Sequence, residues 1–224
     1  AALLTKASAT DLSTHISDTG AEAVHGSTDA NTASAIVARD ANGVTILSGL
    51  QIDTAATPAD SVGLIRWNDT DRALEYNTSG GVTVQIGQEV LTYARNSTGS
   101  LIPEGAAVRI SGATGNRPTI SLADASAEAT SENMIGLVTT TGGIADNSDG
   151  HVTVFGLTRG VVTTGFSAGD QVYLSETAGE WLAAKPTTES SYVVKIGTVT
   201  AVGVNGEILV NVDSHGTVIN DNLM

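Results

Sequence analysis

From Gly63 onward the chain alternates short apolar runs with turn residues at close, regular spacing. Gly63-Leu64-Ile65-Arg66-Trp67 predicts a strand, Asn68-Asp69-Thr70-Asp71 its turn, and Ala73-Leu74-Glu75-Tyr76 the returning strand. Thr78-Ser79-Gly80-Gly81 turns the chain again, and Val82-Thr83-Val84-Gln85-Ile86 follows with period-two alternation. Together these predict a three-stranded meander, with Trp67 and Tyr76 expected close together as a cross-strand pair.

From Gln88 the pattern continues as a second domain. Strands are predicted at 91–95, 107–111, 119–122, 134–139, 152–157, 160–163, 171–174, 192–202 and 207–212, most of them separated by Gly or Pro. Asp124 to Ser131 is the only helix-friendly run there, either one turn or a loop. Short strands with regular turn signals indicate a barrel or sandwich. The expected fold class is all-β: a short N-terminal arm and β-meander, then an antiparallel β-barrel or sandwich domain. EGAAVRI and AGDQVYL each set a glycine before a short strand, which reads as ordinary turn chemistry or as a weak duplication.

The first 50 residues differ. Ala1 to Thr32 is small, polar and weakly periodic, with Leu3, Leu4, Leu12, Ile16 and Val24 as its main apolar anchors. That is too little for an independent core, so the segment is either a flexible arm or one that orders against a partner. Thr10-Asp11 is placed to cap a short helix. Ile36-Val37 and Val44 to Leu47 predict two strands around an Asp40-Ala41-Asn42-Gly43 turn. The expected divisions are an anchoring arm with a short shaft-like β segment (1–53), a meander linker (54–87), the β domain (88–214) and a tail (215–224).

Composition narrows the chemistry. Charged residues are only 15% of the 224, aromatics 4%, and net charge is −14. So acidic a surface repels phosphate backbones and anionic lipid, which argues against nucleic-acid and membrane partners. No run approaches the roughly 18 apolar residues of a membrane span. AALLTKASAT lacks a signal-peptide pattern, and a start at Ala1 fits either a removed initiator Met or a fragment. With no cysteine, disulfides, zinc–thiolate sites and thiol nucleophiles are excluded.

No phosphate loop, dinucleotide fingerprint or nucleophile elbow is present, and no catalytic, cofactor-binding or metal-binding residues are expected. The four histidines, His15, His25, His151 and His215, read as exposed or turn positions; His15 and His25 have a remote alternative as metal ligands on a threefold axis. Asp146-Asn147-Ser148-Asp149-Gly150 offers oxygen ligands but lacks the spacing of a calcium loop, so it reads as a hairpin turn. Glu176, Glu180 and Glu189 flank Trp181, but nothing fixes the carboxylate separation that sugar hydrolysis needs. Tyr93 and Tyr173, inside strands, are expected in the core. Trp181, after Gly179-Glu180, is expected to be exposed, and Trp181 with Glu180 is the candidate glycan or receptor contact.

Over most of its length the chain resembles bacteriophage virion proteins: tail fibres, head fibres or capsid decorations. The segments that carry this are THISDTGAEAVHG with TASAIVARDANGVTI, similar to fibre-shaft repeats; GLIRWNDTDRALEYNTSGGVTVQIGQE, similar to a tryptophan-containing hairpin before a fibre head; and LTYARNSTGSLIPEGAAVRISGATGNRP with GLTRGVVTTGFSAGDQVYLS and KIGTVTAVGVNGEILVNV. The resemblance implies a non-catalytic, homotrimeric virion component. Residues 1–50 would hold it to capsid or tail proteins, with the β domain facing outward. A receptor- or glycan-binding adhesin that recognises a host surface is the alternative. A depolymerase is the third reading, and no residues support it. Trimerisation is also expected physically, because a shared core offsets an ordering cost of about 1–2 kcal/mol per residue.

Overall fold

The computed structural model describes residues 59–217 together with Ile52. The arm, the capped helix after Thr10-Asp11, the strands at 36–37 and 44–47, and His15 and His25 lie outside the described residues. The described residues form one unit. Its strands, in chain order, are β1 (Ile65–Asn68), β2 (Ala73–Asn77), β3 (Thr83–Gln85), β4 (Val90–Asn96), β5 (Ala107–Thr114), β6 (Arg117–Leu122), β7 (Met134–Val138), β8 (Asp149–Val161), β9 (Gln171–Leu174), β10 (Trp181–Leu182), β11 (Tyr192–Ala201) and β12 (Gly206–Thr217). One helical turn, α1 (Glu128–Ser131), sits in the run predicted as a turn or loop. The fold is all-β, with a β-barrel and additional sheets.

Strands β1, β2 and β3 form the meander. The other nine make one sheet in the order β10-β9-β11-β12-β8-β4-β6-β5-β7, and β7 pairs back onto β8. That last pairing closes β8, β4, β6, β5 and β7 into a five-stranded ring. Ala94, Ile120, Val108, Val138 and Val152 supply one buried side chain from each strand of the ring, joined by Ile102 and Ile144. The remaining strands fold over the barrel. Ala107 and Leu137, sequence neighbours of Val108 and Val138, point the other way, because successive strand residues face opposite sides. They pack with Ile208 and Val210 of β12, Ile196 of β11, and Val172 and Leu174 of β9. Burying each of the Leu, Ile and Val side chains among them is worth about 1.5–3 kcal/mol.

Four expectations change. The run 152–157 and the start of the run 160–163 belong to one 13-residue strand, β8, which ends at Val161. Gly156 and Gly160 do not break it. A Cβ at Gly156 would lie 2.4 Å from the Gln88 carbonyl oxygen, so this glycine admits a crossing backbone. The barrel is not purely antiparallel, because β4 and β6 pair in parallel at Arg95↔Thr119 and Asn96↔Ile120. Trp67 and Tyr76 are not opposite one another: Trp67 faces Leu74, and Tyr76 faces Ile65. β12 also runs on to Thr217.

The meander inverts the usual partition. On β2, Glu75 and Asn77 are buried while Tyr76 between them is exposed. Its partners follow suit: Gln85, opposite Glu75, is 2% exposed, and Ile65, opposite Tyr76, is 55% exposed. The sheet turns Glu75, Asn77 and Gln85 inward and leaves Ile65 and Tyr76 outside, while Val84, opposite Tyr76, is buried.

Candidate functional site

Trp181 is not the free aromatic platform the sequence suggested. It stands on β10 opposite Leu174, half-buried against the outer core. Its indole N–H donates to the Gly105 carbonyl at 2.9 Å, and its ring lies 5.3 Å from that of Phe166. The two aromatics help wall an open groove of about 310 Å³. Glu180 is exposed at the rim. Of the acidic residues around Trp181, Glu176 accepts from Ser191 Oγ at 2.6 Å and Thr188 Oγ1 at 3.0 Å. Those bonds, Ser191's first, hold its carboxyl below the usual range. Glu176 ties down the 188–191 loop.

The Asp146–Gly150 turn is braced from within. Asp146 Oδ1 accepts from Gly99 N at 2.8 Å, and Asp149 faces Arg95 at 3.2 Å and Arg117 at 3.3 Å. Among the described residues no three His, Asp or Glu side chains gather into a group that would hold a metal.

Tyr93 and Tyr173 part company. Tyr173 is buried as expected, whereas Tyr93 is 40% exposed. Tyr93 is covered on its faces by charge and imidazole: the Arg117 guanidinium lies 4.4 Å from its ring centre, and His151 lies 4.6 Å away. This is a cation–π stack at the barrel surface.

His151 is not simply a turn residue. Its Nε2 lies 3.3 Å from Thr78 Oγ1 of the meander, and its Nδ1 is buried without a hydrogen-bond partner. Burial lowers its pKa. The folded chain therefore favours neutral imidazole. Its contribution to stability is complete above the unfolded value of about 6.5 and is lost as pH falls below it. Thermal midpoints measured from pH 7.5 to pH 5 are expected to decline more in the wild type than in His151→Phe. Parallel declines would contradict this.

A cleft of about 350 Å³ lies between the polar face of the meander and the barrel wall. Its floor is a hydrogen-bonded ladder. Arg66 Nε donates to Glu75 Oε1 at 2.6 Å, and Asn68 Nδ2 donates to Glu75 Oε2 at 3.0 Å. Gln85 Nε2 donates to Asp71 Oδ2 at 2.6 Å. Register builds the ladder, since Glu75 stands opposite both Arg66 on β1 and Gln85 on β3. Across the cleft, Arg159 of β8 pairs with the buried Glu89, whose other oxygen accepts from Gln85 N at 3.0 Å. The bond to Glu75, with Asp60 behind it, raises the Arg66 pKa.

Two buried groups in this wall are unused. Gln85 Oε1 and Thr153 Oγ1 have no hydrogen-bond partner, though both side chains line the cleft. A buried polar atom left unpaired costs about 1–3 kcal/mol. The cleft is within the size range of small-molecule sites, roughly 300–1,000 Å³.

No protein-family model matches the chain, and no curated protein is significantly similar to it. Function therefore rests on the geometry. Sequence reasoning missed the cleft because its two walls come from segments some 70 residues apart, such as Gln85 and Thr153. The available signal was Glu75 and Gln85 inside the meander strands.

Proposed function

We propose that the chain is a non-catalytic structural subunit of a bacteriophage virion, a trimeric fibre or capsid-decoration protein held through residues 1–50. The observation that carries this reading is the outward apolar row on the meander. Ile65 is 55% and Tyr76 38% exposed, with half-buried Trp67 and Leu74 paired beside them. A contiguous apolar face of this kind marks an association surface, and three copies meeting there share one core. A second exposed group, Val90, Phe155 and Leu209, lies on adjacent strands β4, β8 and β12. In this reading it faces away from the threefold axis. The strong negative charge keeps densely displayed copies from adhering nonspecifically.

Removal of residues 1–32 is expected to leave the thermal transition of the β domain intact while abolishing incorporation into particles, measured as copies per purified virion. Normal incorporation of the truncated chain would overturn the anchoring role.

A second reading, recognition of a host-surface glycan, is favoured by the polar cleft. Trp181 and Glu180 serve it less well, because the indole N–H is already bonded to Gly105.

A further inference from the structure

We propose that the cleft between the meander and the barrel binds a neutral saccharide through Gln85, Thr153 and Glu104. The proposal rests on the host-recognition reading and gives it a ligand class and a place.

The unused groups decide the class. The carboxylates of Glu75, Asp71 and Glu89 already accept hydrogen bonds from Arg66, Asn68, Gln85 and Arg159. What remains unpaired is an amide oxygen and a hydroxyl, both uncharged. An amide oxygen only accepts, and a threonine hydroxyl both donates and accepts. A sugar hydroxyl, itself both donor and acceptor, satisfies either one. Both atoms are covered by neighbours, so binding requires each side chain to turn toward the cleft, Gln85 giving up its bond to Asp71. Glu104 adds a partly engaged carboxylate, with Oε2 accepting from Gly142 N at 2.8 Å. Leu91 and Leu157 supply apolar wall for the C–H face of a pyranose ring.

Competing ligands fit worse. Four carboxylates line the cleft, those of Asp71, Glu75, Glu89 and Glu104, against two guanidiniums, those of Arg66 and Arg159. Both guanidiniums are already bound to carboxylates, so an acidic sugar or phosphate meets net negative charge. A polyamine suits that charge but makes poor use of a neutral amide and hydroxyl.

The test uses the full chain and saturation-transfer NMR. The probes are neutral mono- and disaccharides of glucose, galactose, mannose and N-acetylglucosamine, with a sialylated trisaccharide and spermidine as comparisons. At least one neutral saccharide is expected to bind and the sialylated one not to. Thr153→Val keeps the shape and removes a hydroxyl with no protein partner. It is expected to leave the thermal midpoint unchanged or higher and to weaken saccharide binding about tenfold. Glu104→Gln, at a less buried position, is expected to weaken it as well. Binding of spermidine in preference to every saccharide overturns the proposal. So does saccharide binding that both variants leave untouched. Loss of binding in Trp181→Ala alone would move the site to the Phe166–Trp181 groove, overturning the cleft while sparing host recognition. Saturable attachment to host cells with no saccharide bound would likewise sink the ligand class and leave that reading standing.

Discussion

Gly136→Ala is expected to destabilise the chain by more than about 4 kcal/mol, a loss reserved for steric or packing failures at a defined point. Gly136 lies on β7 beside the seam that closes the barrel. A Cβ there would sit 1.9 Å from the Thr153 carbonyl oxygen and 2.9 Å from its carbonyl carbon. Both are backbone atoms of β8, so no side chain can swing aside. The two strands must separate, and the Leu137↔Thr153 and Val138↔Val152 pairings go with them. Leu137 belongs to the outer core and Val138 to the barrel interior, so one methyl disturbs both. For a domain of this size 1 kcal/mol moves the midpoint by about 2–4 °C, so a fall of roughly 10 °C or more is expected by circular dichroism. Gly115→Ala is the control. Its φ of 62° carries the left-handed strain, but nothing lies within 4 Å of the added methyl, and the expected cost is only about 1–2 kcal/mol. A Gly136→Ala midpoint within a few degrees of the wild type would mean that the seam is not closed as described.

The second large effect concerns assembly. Tyr76→Asp is expected to dissociate the proposed trimer. Tyr76 is the exposed aromatic of the outer meander row, and buried aromatic anchors at the centre of an interface cost about 2–4 kcal/mol when lost. An aspartate adds an unpaired charge, repeated three times around the axis. The side chain is 38% exposed in the single chain, so folding itself is expected to survive. Phe155→Asp, on the barrel's own outer face, is expected to leave the mass unchanged. If Phe155→Asp dissociates the assembly and Tyr76→Asp does not, the interface lies on β4, β8 and β12 instead.

Local pattern made the strands legible. The strand β9 occupies the predicted positions Gln171–Leu174, and the meander strands fall within a residue or two of expectation. What the pattern could not carry was partnership. The parallel β4–β6 contact depends on which strands meet in space, and neither segment encodes that in its alternation. The gap placed at Thr158-Arg159 does not exist, because both residues pair with β12 and carry β8 through without interruption. β10 has two residues, too few for any periodicity. Trp181 was placed at the surface from its hairpin neighbours, but Gly105 and Phe166, distant in sequence, draw it half inside. The cleft was hidden for a related reason. Glu75 and Gln85 lie on separate strands, and only cross-strand register brings them together in the lining of a cavity.

The most direct test of the account is the solution mass of the full chain by sedimentation equilibrium at micromolar concentration. A mass about three times the 22.6 kDa of one chain is expected, falling to a single chain in Tyr76→Asp. A wild-type chain that sediments as a monomer would contradict it, leaving the apolar row on the meander without the partner on which the structural role depends.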